Sequence, residues 1–488
     1  MRIISIENLK AQLEVLENNM TEAGKSRVSL VETLHQEQKL SALNLIHYSY
    51  LRTLDIRSLQ DQLHILGLSS LASSEGHILR QLQSVRQRLG QEYSSSQLSK
   101  CDYHYSKKIL EQRSNTLFGE KKHTSLPFIM VTFDSSFADN YALVKNLLLS
   151  GMNVARINCA HDDETAWSKM IYLIKKASRK TNLPCKVYMD LAGPKLRTVL
   201  THKGCKEQKV KVKVGDLIWL AEELDRFGNK DIVIHPNETG IISCLQKGNR
   251  VFIDDGVIKG EVEQVFDGYA SVRIVRVSSA KSQIKSGKGL NFPDSNLNIS
   301  PLTEYDLQCL PFICENADLI GYSFVRYPQD LGLLQETLDK IQGNKPKIII
   351  KIETPEAVSH LPGLLIQGMN CDVFGVMIAR GDLAVEIGFE RMSEVQEEIL
   401  WICESAHVPV IWATQVLETL NKSGMATRSE ITDAARAGMA ECIVINKGDY
   451  TIEVLETLKE VLTRIGTHQN KKRFIFRPLM IAKRFMSV

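Results

Sequence analysis

The 488-residue chain lacks most of the features that would tie it to a membrane, a secretory route or a zinc site. No run of 18 apolar residues occurs, so no helix is expected to span a bilayer. The first segment, MRIISIENLKAQLEVLE, brings in acids too early for the apolar core of a secretory signal. Ten cysteines stand at 101, 159, 185, 205, 244, 309, 314, 371, 403 and 442, with no CxxC pair and no Cys/His ligand spacing. Half of them lie in or beside apolar runs and read as small buried hydrophobes, which places the chain in the reduced cytoplasm. The net charge of +3 gives no reason to expect a nucleic-acid partner. There is no GxxxxGK[ST] loop: Gly287–Lys288–Gly289 is too short and does not join a strand to a helix. Internal repeats and low-complexity tracts are also missing. What remains is an ordinary globular composition, 43% hydrophobic and 24% charged, long enough for two to four domains.

Against that plain background stand eight short apolar runs: FIMVTF (128–133), NVARIN (153–158), KVYMDL (186–191), LIGYSF (319–324), IIIKIE (348–353), GVMIAR (375–380), VIWAT (410–414) and CIVIN (442–446). Helical periodicity separates most of them. Unalternated runs of this length suit parallel strands buried on both faces. Eight strand–helix units fit an α/β fold of the (β/α)8 TIM-barrel type, whose chemistry sits at the C-terminal ends of the strands.

The rest of the chain divides around this barrel. Residues 1–125 read as an N-terminal α-helical extension: Leu9, Leu13, Leu16 and Met20 share one helical face, a second segment covers 41–66 up to Gly67, and a third runs from Ser73–Ser74 to Gly90. The stretch 93–100 reads as a loop. The helix–turn–helix pattern around 63–80 admits a small nucleic-acid-binding hairpin or an appendage packed on the barrel, and the second is the plainer reading. Residues 126–198 form the first part of the barrel. Residues 199–289 change to alternating strands such as KVKVKV (209–214) and VRIVRV (272–277), read as an inserted all-β lid domain above the site. Residues 290–466 complete the barrel with a final helix at 452–466. The tail 467–488 is basic; its interleaved Phe, Ile, Leu and Met favour docking across the barrel over binding an anionic surface.

The strand ends supply Arg156, Asn158, Asp190, Ser323, Lys351, Glu353, Arg380, Asp382 and Thr414. Lys351 and Glu353 are two apart on one strand, as are Arg156 and Asn158, so each pair shares a face. Glu353 and Asp382 offer the hard oxygens that Mg²⁺ prefers, and two carboxylates are few enough to imply a metal shared with a substrate. Lys351, Arg156 and Arg197 suit a phosphoryl group, whose transfer needs positioning and electrostatic stabilisation. Gly381 permits close backbone approach to a small anion.

The stretch MIARGDLAVEIG (377–388) resembles the pyruvate kinase family. So do GMNVARIN with His161 (151–161), MDLAGPKLRT (189–198), VFIDDGVI (251–258), KGLNFP (288–293), SFVR (323–326), KIIIKIETPEAV (347–358) and WATQVLETL…ATRSEITDAA (412–435), in order over about 126–460. The resemblance implies phosphoryl transfer from phosphoenolpyruvate to ADP, giving pyruvate and ATP, in the cytoplasm and without a membrane or nucleic-acid partner. It implies Glu353 and Asp382 as ligands of Mg²⁺ or Mn²⁺ and Lys351 on the phosphoryl group and enolate. Arg156 would hold the substrate phosphate, Gly381, Asp382 and Thr414 the carboxylate, with Ser323 beside them. Arg197, His161, Lys288, Asp255 and Asn158 would serve the nucleotide side and lid.

Several departures qualify the match. At the family's monovalent-cation site Asn158 and Asp190 are kept, but Ala160 and Leu191 replace a Ser and a Thr, and Lys195 replaces a Glu. This resembles the potassium-independent class, with Lys195, grouped with Asp190 as the monovalent-cation substitute, supplying the unit positive charge of the missing K⁺, so activity without K⁺ is expected. TFDSSF (132–137) replaces the strand-one motif and NKGDY (446–450) the strand-eight motif. The chain ends soon after the barrel, so the C-terminal regulatory domain and its sugar-bisphosphate activation are expected to be missing, while homodimer contacts through the barrel stay open. Two other readings remain: a non-catalytic, regulatory relative, and an aldolase or lyase acting on a pyruvate enolate, against which the inserted lid argues.

Overall fold

The computed structural model describes residues 5–121, 126–201, 209–223, 225–228, 230–278, 283–297 and 299–466, with the backbone of 469–470 and 473–474. Eight all-parallel strands close a barrel: β1 (Phe128–Phe133), β2 (Val154–Asn158), β3 (Lys186–Asp190), β4 (Leu319–Tyr322), β5 (Lys347–Ile352), β6 (Gly375–Ala379), β7 (Val410–Ala413) and β8 (Cys442–Ile445). Neighbours follow chain order, and β1 meets β8 through Phe128 and Cys442. Several strands stop one or two residues short of the apolar runs. Arg380, read as a strand end, is the first residue of the helix Arg380–Ile387.

The N-terminal block holds more helices than the sequence predicts. Leu9, Leu13, Leu16 and Met20 do line the core face of Ile6–Lys25. The expected segment 41–66, however, is two helices, Lys39–Leu51 and Arg57–Ile65, and a further helix, Tyr103–Phe118, was not anticipated. This last helix plugs the barrel: Leu117 and Phe118 pack against Phe128, Val154, Leu319 and Cys442, the first residues of four strands. Closing the N-terminal end leaves the C-terminal rim for chemistry.

Hydrogen bonds lock the block to the barrel. Arg113 donates to the carbonyls of Ala406 and His407 (3.1 and 2.9 Å), and Asn44 donates to that of Ser405 (2.8 Å). The buried ring of His407 lies 2.9 Å from Ser41 Oγ and 2.7 Å from the Gly76 carbonyl. Leu63, Leu71, Ile78 and Leu79 lie inside the block's own core, so the 63–80 hairpin is a packed appendage.

The insertion leaves after β3 and returns through Leu290–Asn291 as a seven-stranded sheet with its own core, including Ile218, Leu220, Ile234, Val251, Val272 and Ile274. It is mixed rather than uniformly antiparallel, because Leu217–Ala221 pairs parallel with Val233–Pro236, and it includes a helical turn at Ile242–Cys244. Exit and return are tied together at its root, with the Thr198 amide donating to the Lys288 carbonyl (2.8 Å) and the Leu290 amide to that of Leu196 (2.9 Å). Among the described residues no helix is long and apolar enough to cross a membrane. The side chains of the basic tail lie outside the described residues.

Candidate active site

At the C-terminal rim the ends of β2, β3, β4 and β5 are joined by one polar network. Lys351 points its ammonium at Ser323 Oγ (2.7 Å), Glu353 Oε1 (3.1 Å) and Asp190 Oδ1 (3.7 Å). Asp190, fully buried, receives Arg156 Nε at 2.7 Å, and Arg156 Nη1 reaches Thr132 Oγ1 on β1 at 2.9 Å. The Tyr188 hydroxyl donates to the other Asp190 oxygen. Ser323 in turn donates to the Leu191 carbonyl (2.7 Å), and the Phe324 amide donates to Glu353 Oε2 (2.7 Å). Phe324 itself adopts a left-handed backbone, φ +55°. Gly321 makes the network possible: a Cβ there would stand 2.0 Å from both Asp190 Oδ1 and Tyr188 Oη.

The electrostatics follow from burial among opposed charges. Burial pushes the Glu353 carboxyl above the usual range, Lys351 opposes this, and the negative charge of Asp382 adds to it. Burial would also raise Asp190, but Arg156 and Lys351 outweigh it and hold the carboxyl below the usual range. Lys195 is raised despite burial because Asp382, 2.7 Å away, and Asp255, 3.8 Å away, favour its charge.

The structure therefore places Lys195 on Asp382 and the lid acid Asp255, whereas Asp190 is surrounded by Arg156, Tyr188 and Lys351. The loop of Lys195 runs toward the helix Arg380–Ile387 and the root of the lid. Asn158 spends its side-chain oxygen on the Ala160 amide (3.0 Å). Arg380 is not part of the site: it clamps Asp433 and the carbonyls of Ala413 and Thr414 and stacks over Trp412. In doing so it holds Thr414, whose backbone is left-handed (φ +66°) and whose buried hydroxyl has no hydrogen-bond partner among the described residues. A Cβ on Gly381 would lie 3.7 Å from that hydroxyl, so Thr414 borders the Gly381–Asp382 backbone.

On the lid side, Arg197 Nη1 donates to the Gly287 carbonyl (3.1 Å), and Lys288 pairs with Asp254 (3.0 Å). His161 is exposed. Although its surface is open to solvent, desolvation by its neighbours lowers its pKa, and the charges of Arg197, Lys447 and Arg156 act in the same direction against that of Asp162, which marks a shared cationic field. Lys447 and its partner Asp134 (2.5 Å) come from the two departing motifs, NKGDY and TFDSSF, and were not singled out by sequence. Neither were Thr132 and Tyr188, since a hydroxyl inside an apolar run reads as core.

Glu353 and Asp382 are hard oxygen donors whose charges already act on one another, and each holds an ammonium against one oxygen. That donor set fits Mg²⁺ or Mn²⁺, with substrate and water completing the shell. Among the described residues no group of three or more His, Cys, Asp or Glu forms a closed cage.

These features define a (β/α)8 barrel with an inserted sheet domain and a rim of paired cations and carboxylates. The comparisons narrow the class. The pyruvate kinase barrel-domain model matches residues 128–454. Pyruvate kinase of Thermotoga maritima is 30% identical over 345 residues, 70% of this chain and 70% of that protein. Those of Staphylococcus saprophyticus and Staphylococcus aureus are 27% and 28% identical over 69% of this chain, which spans only 57% of their length. A solved pyruvate kinase from Cryptosporidium parvum matches with a TM-score of 0.63 at 24% identity, covering 74% of this chain and 71% of that one, a likeness of fold. The chain belongs to the pyruvate kinase family of phosphotransferases.

Proposed function

We propose that this chain transfers the phosphoryl group of phosphoenolpyruvate to ADP, yielding pyruvate and ATP, with Mg²⁺ or Mn²⁺ held by Glu353 and Asp382. The observation that carries this reading is Lys351: its ammonium is fixed by Ser323 and Glu353 and shares Asp190 with Arg156. A bound divalent ion would neutralise charge on the transferring oxygens. Lys351 would steady the phosphoryl group and the enolate oxygen left behind. Among the described residues Arg156 commits three of its five N–H groups, to Asp190 and Thr132, which leaves two for the substrate phosphate. The Gly381–Asp382 backbone and Thr414 would bind the carboxylate, and the Thr414 hydroxyl, without a partner among the described residues, suits a proton path to the enolate carbon.

Arg197, His161, Lys288, Asp255 and Asn158 would line the nucleotide side, with the lid closing over them. The enzyme would work in the cytoplasm and without K⁺, and any homodimer would form through the barrel. A lactate-dehydrogenase-coupled assay with phosphoenolpyruvate, ADP and Mg²⁺ tests the central reading. Pyruvate formation that stops on chelation is expected. Failure to form pyruvate from folded protein would overturn it and leave the regulatory or lyase readings.

A further inference from the structure

We propose that Tyr188 is a positioning residue that completes the Asp190–Arg156 pair from within the chain, so that no inorganic monovalent cation is needed there. The inference rests on the proposed function for its kinetic test but not for its binding test. Tyr188 lies two residues before Asp190 on β3, on the same face, and is fully buried. Its hydroxyl donates to Asp190 Oδ1 while Arg156 Nε takes Oδ2. The ring occupies space that exists because Gly321, opposite Asp190 in the β3–β4 register, has no side chain. Burial and the Asp190 charge push the phenol well above its ordinary pKa, so it remains a neutral donor.

The neighbouring oxygens are occupied as well. Asn158 Oδ1 takes the Ala160 amide at 3.0 Å, and the Leu191 carbonyl takes the Ser323 hydroxyl at 2.7 Å. Ala160 supplies no side-chain oxygen. A monovalent cation needs several oxygens free to replace its water. Here donors from the protein already face them, and the positive charge on Asp190 comes from Arg156 and Lys351, 3.7 Å away.

Two variants test this. Tyr188→Phe keeps the ring and removes the donor. Its kcat should fall about tenfold to a hundredfold, the scale of one lost hydrogen bond to a buried charged group, with KM for ADP nearly unchanged. Tyr188→Ser opens the space beside Asp190. Its thermal midpoint and its kcat should rise in KCl relative to choline chloride at equal ionic strength, whereas the parent protein responds to neither. A Tyr188→Phe enzyme at parental kcat, or an equal K⁺ response in parent and Tyr188→Ser, overturns the proposal. If the parent makes no pyruvate, the proposed reaction fails, and the K⁺ effect on thermal midpoint still decides the role of Tyr188.

Discussion

Replacing Gly321 with alanine adds a single methyl group and should disable the site. The new Cβ would stand 2.0 Å from Asp190 Oδ1, 2.0 Å from Tyr188 Oη and 2.7 Å from Tyr188 Cζ, where ordinary contact begins at 3.4 Å. The carboxylate and the phenol must each retreat by about 1.4 Å, the difference between those distances. The Arg156 Nε bond to Asp190, now 2.7 Å, does not survive a shift of that size in its acceptor. Overpacking alone costs about 1–3 kcal/mol. Loosening a buried ion pair adds to this, up to about 3–5 kcal/mol were it broken outright. We expect about 2–5 kcal/mol of lost stability in guanidinium unfolding, and a kcat/KM for phosphoenolpyruvate lowered by about 10²-fold. The Tyr188→Phe background removes the hydroxyl contact, so the penalty there should be smaller and the two changes non-additive. Gly332, inside the helix Pro328–Lys340, is the control, because its added Cβ meets nothing closer than Gln367 Nε2 at 3.5 Å. Gly332→Ala should be neutral or up to about 1 kcal/mol stabilising. Equal behaviour of the two alanine variants would refute the reasoning.

Other perturbations read the remaining parts of the site. Lys351→Met removes the ammonium shared by Ser323, Glu353 and Asp190 and should cut turnover by roughly 10²–10³ in the coupled assay; retention of most activity would deny its role. Glu353→Gln should raise the Mg²⁺ concentration needed for half-maximal rate, and an unchanged Mg²⁺ dependence would remove Glu353 from the ligand set. Glu386, which receives Asn291 Nδ2 at 2.7 Å across the seam between lid and barrel, is pushed by burial up to about 7, with Asp382 adding to the effect. A raised acid pKa favours the folded state while protonated. That contribution is whole below about 4.5 and is lost as pH rises through about 7. Glu386→Gln should therefore raise the thermal midpoint at pH 8 and leave it nearly unchanged at pH 5. A larger gain at pH 5 would contradict the assignment.

How far the sequence alone leads depends on which face of each element carries information. The barrel strands are buried on both sides, so each appears as an unbroken apolar run, and eight such runs leave few alternatives. Their ends are harder to place, because the polar residue that ends a strand and the one that begins the next helix look alike; Arg380 shows this, opening a helix after β6. The helix Tyr103–Phe118 carried legible caps, Asp102 accepting from the Tyr105 amide and Gly119 at φ +96°. Its buried stripe, however, includes Arg113 and Ser114 beside Leu110 and Leu117, and Arg113 is buried because it serves three backbone carbonyls that no periodicity reveals.

The same limit governs the site. Charges on strand ends are visible in sequence, but their partners are decided by register and by space. Lys195 and Asp190 are five residues apart and still answer to different charges, because the chain turns toward the lid between them. In sequence Tyr188 reads as one more core aromatic; only the fold brings Gly321, 133 positions away, to where it leaves room for its hydroxyl. An aromatic that satisfies a buried acid and a glycine that admits it form one feature written in two places. Either residue substituted alone should disturb Arg156, although neither is expected to touch the substrate.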